Sequence, residues 1–141
     1  MPEGDDHPGE GSIENDWYID AIDEVERSAQ ELHQALEFTV DALRPARDER
    51  LTGVELPEIV AGLVARGGKT RREAASVAFL AFQRAVTTYR AVAIRGLVDE
   101  HHMTFSEVAN LTGVSRQMIS RLYKAASQAA EGQEADADPL T

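Results

Sequence analysis

The stretch TFSEVANLTGVSRQMISRLYK, residues 104–124, decides how this chain is read. Thr104 and Glu107 stand three apart just before a set of apolar residues. That is the spacing of a capping box, in which each side chain satisfies the other residue's free backbone N–H. A helix of two turns is therefore predicted to begin there. Gly113 ends it, where a tight turn needs a positive φ that glycine adopts without a steric penalty. Ser115 is placed to cap a following helix. Its inward face is Ile119, Leu122 and Tyr123 at helical spacing. The stretch thus predicts two helices joined by a short turn containing glycine.

These residues resemble the helix-turn-helix DNA-binding superfamily, in particular the tri-helical domains of phage-repressor and sigma-factor region 4 type. The resemblance covers about residues 89–126, with AVAIRGLVDEH as the supporting first helix. That family needs a small residue where the two helices cross, and Ala109 occupies the position; the expected glycine four residues later is Gly113. Its apolar slots are filled by Val108, Val114, Ile119 and Leu122, whereas Thr112 departs from a slot that is usually bulkier and apolar. The resemblance implies that the second helix enters the major groove of double-stranded DNA and presents its N-terminal residues to base edges. The outward residues are Ser115, Arg116, Gln117, Ser120, Arg121 and Lys124. Arginine pairs bidentately with guanine and glutamine with adenine, so Arg116 and Gln117 are the expected base readers. Ser115, Ser120, Arg121 and Lys124 are expected to hold phosphates, which sets register without reading sequence. An ordinary amphipathic helix with a solvated face is the plain alternative for SRQMISRLYK.

Charge looks hostile to such a partner until it is divided along the chain. The 141 residues carry 14 Lys and Arg against 25 Asp and Glu, for a net charge of −11. Residues 1–31 hold eleven acids and one arginine, whereas residues 69–130 hold nine bases and four acids. An acidic arm ahead of a basic module is a recognised pattern for a binding surface beside a repelling segment.

Working outward, residues 15–43 place Tyr18, Ile22, Val25, Ala29, Leu32, Leu36, Thr39 and Leu43 at gaps of three and four, one face of a long helix. With Ile22 and Val25 as heptad positions a and d, the g positions are Ala21, Ser28, Ala35 and Ala42, and the e positions are Glu26, His33 and Val40. The charged ladder beside a two-stranded seam is missing, and the wide apolar face suits a bundle. Trp17, Ile19 and Phe38 lie off the main stripe. Pro45 is expected to end this helix. A short helix is predicted over 57–66, closed by Gly67 and Gly68. Thr70 and Glu73 form a second capping box, opening a helix that runs to about His101, with a kink expected near Thr87 and Thr88 or Gly96.

The fold class expected is all-α: an acidic, disordered lead at 1–13, a helical bundle or dimerisation region at 14–88, a tri-helical helix-turn-helix domain at 89–128, and a disordered acidic tail at 129–141. Nothing in the sequence supports catalysis, a metal or a cofactor. There are no cysteines. Adjacent His101 and His102 point apart on a helix and cannot form an i, i+4 metal pair. Gly68-Lys69-Thr70 lacks the earlier glycine of a phosphate-binding loop, because position 63 is Leu63. No membrane span and no secretory signal are readable, so the expected location is cytoplasmic.

Function is accordingly expected to be sequence-specific DNA binding by a transcriptional regulator, acting as a homodimer. A protein-interaction module built on the same scaffold, whose acidic N-terminal helix engages a protein partner, and a plasmid or phage maintenance protein are the alternatives. The acidic lead is expected to weaken non-specific DNA binding by repulsion. Removing residues 1–13 should then raise affinity for random duplex at low salt, and an unchanged affinity across a salt series would rule that role out.

Overall fold

A computed structural model describes residues 16–136, with side chains as far as Ala129. The expected lead at 1–13 and the final residues 137–141 lie outside the described residues. Among the described residues the chain is all-α, with five helices: α1 (Trp17–Leu51), α2 (Leu56–Ala65), α3 (Gly68–Asp99), α4 (Phe105–Thr112) and α5 (Arg116–Asp136). No described helix is long and apolar enough to cross a membrane.

Two long antiparallel helices, α1 and α3, form the frame. On α1 the covered row is Ala21, Val25, Ser28, Leu32, Ala35, Thr39, Ala42 and Ala46, the d and g positions of the heptad pattern. On α3 the covered row includes Ala75, Ala78, Phe82, Ala85, Tyr89, Val92 and Gly96, at the same alternation of three and four. Both rows are rich in small residues, which lets the helix backbones approach closely. Phe82 and Tyr89 are the large members of the α3 row. The hydroxyls caught in the seam are satisfied locally: Ser28 Oγ donates to Val25 O at 3.0 Å and Thr39 Oγ1 to Ala35 O at 2.8 Å.

The start of α1 is locked to the end of α3. Asp16 caps α1 by accepting from the Tyr18 N–H at 2.8 Å. The Trp17 indole lies over Gly96 and its Nε1 donates to Glu100 Oε1 at 3.0 Å. The Tyr18 and Tyr89 hydroxyls meet at 2.9 Å, and that hydrogen bond raises the Tyr89 pKa above its ordinary value.

The helix boundaries differ from the sequence expectation at several places. Helix α1 does not stop at Pro45 but continues to Leu51. Pro45 is exposed, so the Asp41 carbonyl that loses its partner faces water, while Ala42 and Ala46 keep the inward row intact. Helix α3 starts at Gly68, not at Thr70, and the Thr70–Glu73 capping box is not formed. Gly67 at φ 88° turns the chain directly from α2 into α3, and the Arg71 N–H donates to Gly67 O at 3.1 Å. Finally, α3 runs unbroken through Thr87, Thr88 and Gly96. The expected division at residues 88 and 89 therefore falls inside one continuous helix. Helix α5 reaches Asp136, beyond the residue 128 at which the sequence reading ended the domain.

A Cβ at position 96 would overlap the Trp17 indole. Gly96→Ala should therefore destabilise the protein by about 1–3 kcal/mol, the usual cost of overpacking a tight contact. The chain has a single tryptophan. Its emission should shift toward that of a solvated indole, in parallel with a lowered thermal midpoint.

Candidate nucleic-acid interface

The C-terminal end of α3 packs with α4 and α5 around Ile94, Val108 and Ile119. Val108 and Ile119 have no exposed surface. Leu97, Val98, Met103, Phe105, Ala109, Leu122 and Tyr123 close over them, with the Phe105 and Tyr123 rings 5.4 Å apart. Ala91 and Ile94 lie on the opposite side of α3 from the row that meets α1.

The chain turns from α3 into α4 through His102 at φ 54°, a left-handed conformation costly for a residue with a side chain. The Met103 N–H closes this turn by donating to Leu97 O at 3.1 Å. The capping box then forms as expected. Thr104 Oγ1 accepts from the Glu107 N–H and Glu107 Oε2 accepts from the Thr104 N–H, each at 3.1 Å. Gly113, at φ 73°, ends α4, and its N–H donates to Ala109 O at 2.9 Å.

Thr112, the departure from the family pattern, has a local role that the sequence did not suggest. Its hydroxyl donates to Val108 O at 2.8 Å and accepts from the Val114 N–H at 3.3 Å. It ties the last turn of α4 to the turn that follows. Ser115 Oγ then accepts from the Met118 N–H at 3.2 Å, which caps α5. Ser115 is thus engaged by the helix start, although its hydroxyl proton remains free to donate.

Arg116, Gln117, Ser120, Arg121 and Lys124 share one face of α5, at i, i+1, i+4, i+5 and i+8. All are exposed except Ser120, which is half-buried. Ile119, Leu122 and Tyr123 take the opposite face and enter the core. Sequence reasoning passed over two apolar neighbours of this surface: Leu111 on α4 and Met118 on α5 are both exposed. Val114, expected in an apolar slot, is also partly exposed.

Each acid of this region is engaged by a neighbour. Residues 89–128 contain three: Asp99, Glu100 and Glu107. Glu107 is held in the capping box and Glu100 by Trp17. Asp99 accepts from Tyr123 Oη at 2.8 Å and from Arg95 Nε at 3.3 Å. The bond to Asp99 raises the Tyr123 pKa, so the phenol stays protonated and keeps α5 tied to α3. No acid therefore neutralises Arg116, Arg121 or Lys124 among the described residues. The outer face of α5 is a basic surface with one amide in it.

Behind that face an open groove of about 660 Å³ runs between α3 and α5. Its walls are largely small or apolar, with Ala91, Gly96, Ala125 and Ala126, and the Trp17 indole reaches into it. No cluster of His, Asp or Glu suited to a metal ion occurs among the described residues. No protein-family model matches this chain, and neither a curated protein nor a solved structure does.

Ile119 is the fully buried side chain by which α5 is seated. Ile119→Ala should cost about 2–5 kcal/mol through lost burial and a residual cavity. Denaturant unfolding followed by circular dichroism should show the midpoint fall. Met118→Ala, one residue away and exposed, should change it by less than about 0.5 kcal/mol.

Proposed function

We propose that this chain is a sequence-specific double-stranded DNA-binding protein, a transcriptional regulator acting as a homodimer, with α4 and α5 as a helix-turn-helix. The observation that carries this is the outer face of α5. Arg116, Arg121 and Lys124 project there with Gln117, while every acid of residues 89–128 is engaged elsewhere. A net charge of −11 for the whole chain is thereby compatible with a local surface that attracts phosphate.

Roles divide by position on the helix. Arg116 and Gln117, in the first turn of α5, are the base-reading residues, and Ser115 and Ser120 are short enough to donate to backbone oxygens. Arg121 and Lys124, one and two turns further on, follow the phosphates. Met118 is an apolar surface beside Gln117 that suits a thymine methyl group. The short, rigid turn through Thr112 and Gly113 fixes the angle at which α5 is presented.

The test is fluorescence anisotropy of labelled duplexes, first a random-sequence and genomic-fragment pool and then the sequences it enriches, across a salt series. Binding should weaken steeply as salt rises, with a slope that reports the phosphates contacted. Arg116→Ala, Arg121→Ala and Lys124→Ala together should abolish it while leaving the helical circular-dichroism signal intact. Gln117→Ala should instead flatten preference at one base position, by roughly 1–3 kcal/mol. Absence of binding even at low salt would overturn DNA recognition and leave the module as a scaffold for a protein partner.

A further inference from the structure

Helix α1 has a second, largely apolar row that nothing among the described residues fully covers. Its d and g positions face α3, as described above. The next row round the helix runs Ile22, Glu26, Ala29, His33, Leu36, Val40, Leu43 and Arg47, at the same alternation of four and three, with Ala29 half-buried and His33 beside Glu37 on the same helix. Its large aliphatic members are 41–52% exposed. A helix that meets one neighbour needs one apolar row, and a helix in a four-helix bundle needs two adjacent ones. Pro45 lies on the other side of α1 and leaves this row uninterrupted.

Charge along the row identifies what covers it. The acids Asp23 and Glu26 flank its N-terminal end, and Arg47 and Arg50 flank its C-terminal end. Asp23, Glu26 and Arg47 take no ion-pair partner among the described residues, whereas their neighbours Glu24 and Arg44 do. Two such helices side by side and parallel would set acid against acid and arginine against arginine. Reversed about a two-fold axis close to Leu36, the same helices set Glu26 against Arg47 and Asp23 against Arg50, twice. Self-complementarity of that kind is what a two-fold interface requires.

We propose that two copies of this chain pair through this row of α1, antiparallel, with Leu36, Val40 and Leu43 at the centre and Glu26 of each copy against Arg47 of the other. The hairpin of α1 and α3 is then half of a four-helix bundle. Trp17 holds the end of α3 some nineteen residues of α1 from the axis, so the two basic faces sit at opposite ends of the assembly. At about 1.5 Å per residue they lie about 60 Å apart, roughly 10 Å short of two turns of DNA. Only that last spacing rests on the DNA-binding reading; the pairing stands on the hairpin surface.

The pairing is tested without DNA, by light scattering and sedimentation equilibrium of the full chain over a concentration series. The expected mass is twice 15.4 kDa. Leu36→Glu with Leu43→Glu should give a monomer of unchanged helical content. Glu26→Arg alone and Arg47→Glu alone should each weaken association at least tenfold, and the two together should restore it, because each pair is re-formed with its charges exchanged. The chain has no cysteine, so a disulfide can report orientation directly. A mixture of Glu26→Cys and Arg47→Cys chains should cross-link, and neither alone should. A monomer at all concentrations, cross-linking of Glu26→Cys with itself, or a charge exchange that fails to restore the dimer would each overturn the proposal. DNA binding by a monomeric chain would leave DNA recognition by α5 standing, while this interface and action as a homodimer fell.

Discussion

Helix α3 has to satisfy two neighbours at once, and the rest of the structure follows from that constraint. One row of its side chains, with Ala75, Ala78, Ala85 and Gly96 spaced around the larger Phe82 and Tyr89, lies against α1. Another, with Ile94, Leu97 and Val98, faces α4 and α5. Room is short where the two contacts overlap, because a helix only about 10–12 Å across carries both within a few residues of each other. Gly96 marks the tightest point. Its missing side chain is where Trp17 fits, and Trp17 in turn reaches Glu100.

Much of this was legible because the decisive signals are local. The Thr104–Glu107 capping box, the positive φ of Gly113 and the Ser115 cap are set by residues within four positions of one another, and all three occur. The inward alternation of α1 was readable too, but not which neighbouring row would be covered. Ile22, Leu36 and Leu43 are the larger residues, yet the alanines and Ser28 beside them face α3. Hydrophobicity alone points to the bulky row, whereas close approach of two helices selects the small one. Pro45 and Thr70 misled for a different reason. A proline is tolerated where the carbonyl it abandons meets water, and a capping box is bypassed when glycines start the helix earlier. The outward residues of α5 followed from spacing, but Thr112's hydroxyl contacts depend on a turn geometry that no periodicity encodes.

The distribution of charge has a similar logic. Local hydrogen bonds decide which charges the surface presents, more than composition does. Asp99, Glu100 and Glu107 are each spent on a structural partner: a phenol and a guanidinium, an indole, and a helix N-terminus. These acids keep their charge, but each is held against a structural partner and forms no ion pair with Arg116, Arg121 or Lys124 among the described residues. Their partners fix Tyr123, Trp17 and the start of α4, so the contacts that assemble the three-helix region also leave its outer face basic. The one ion pair among them, Asp99 with Arg95, is exposed and adds little stability by itself. The effect of these contacts is on where charge remains.

Because α3 is unbroken from Gly68 to Asp99, the heading of the α5 face relative to the long hairpin is a matter of helical phase. Each residue added between the two ends of that rod turns one end against the other by about 100°, whereas seven residues bring it back to within about 20°. Length variation in the middle of α3 is thus quantised: single insertions redirect the basic face, and heptads only move it outward. A flexible linker would have absorbed both kinds of change without consequence. Here the pitch of one helix sets the direction in which the basic face points.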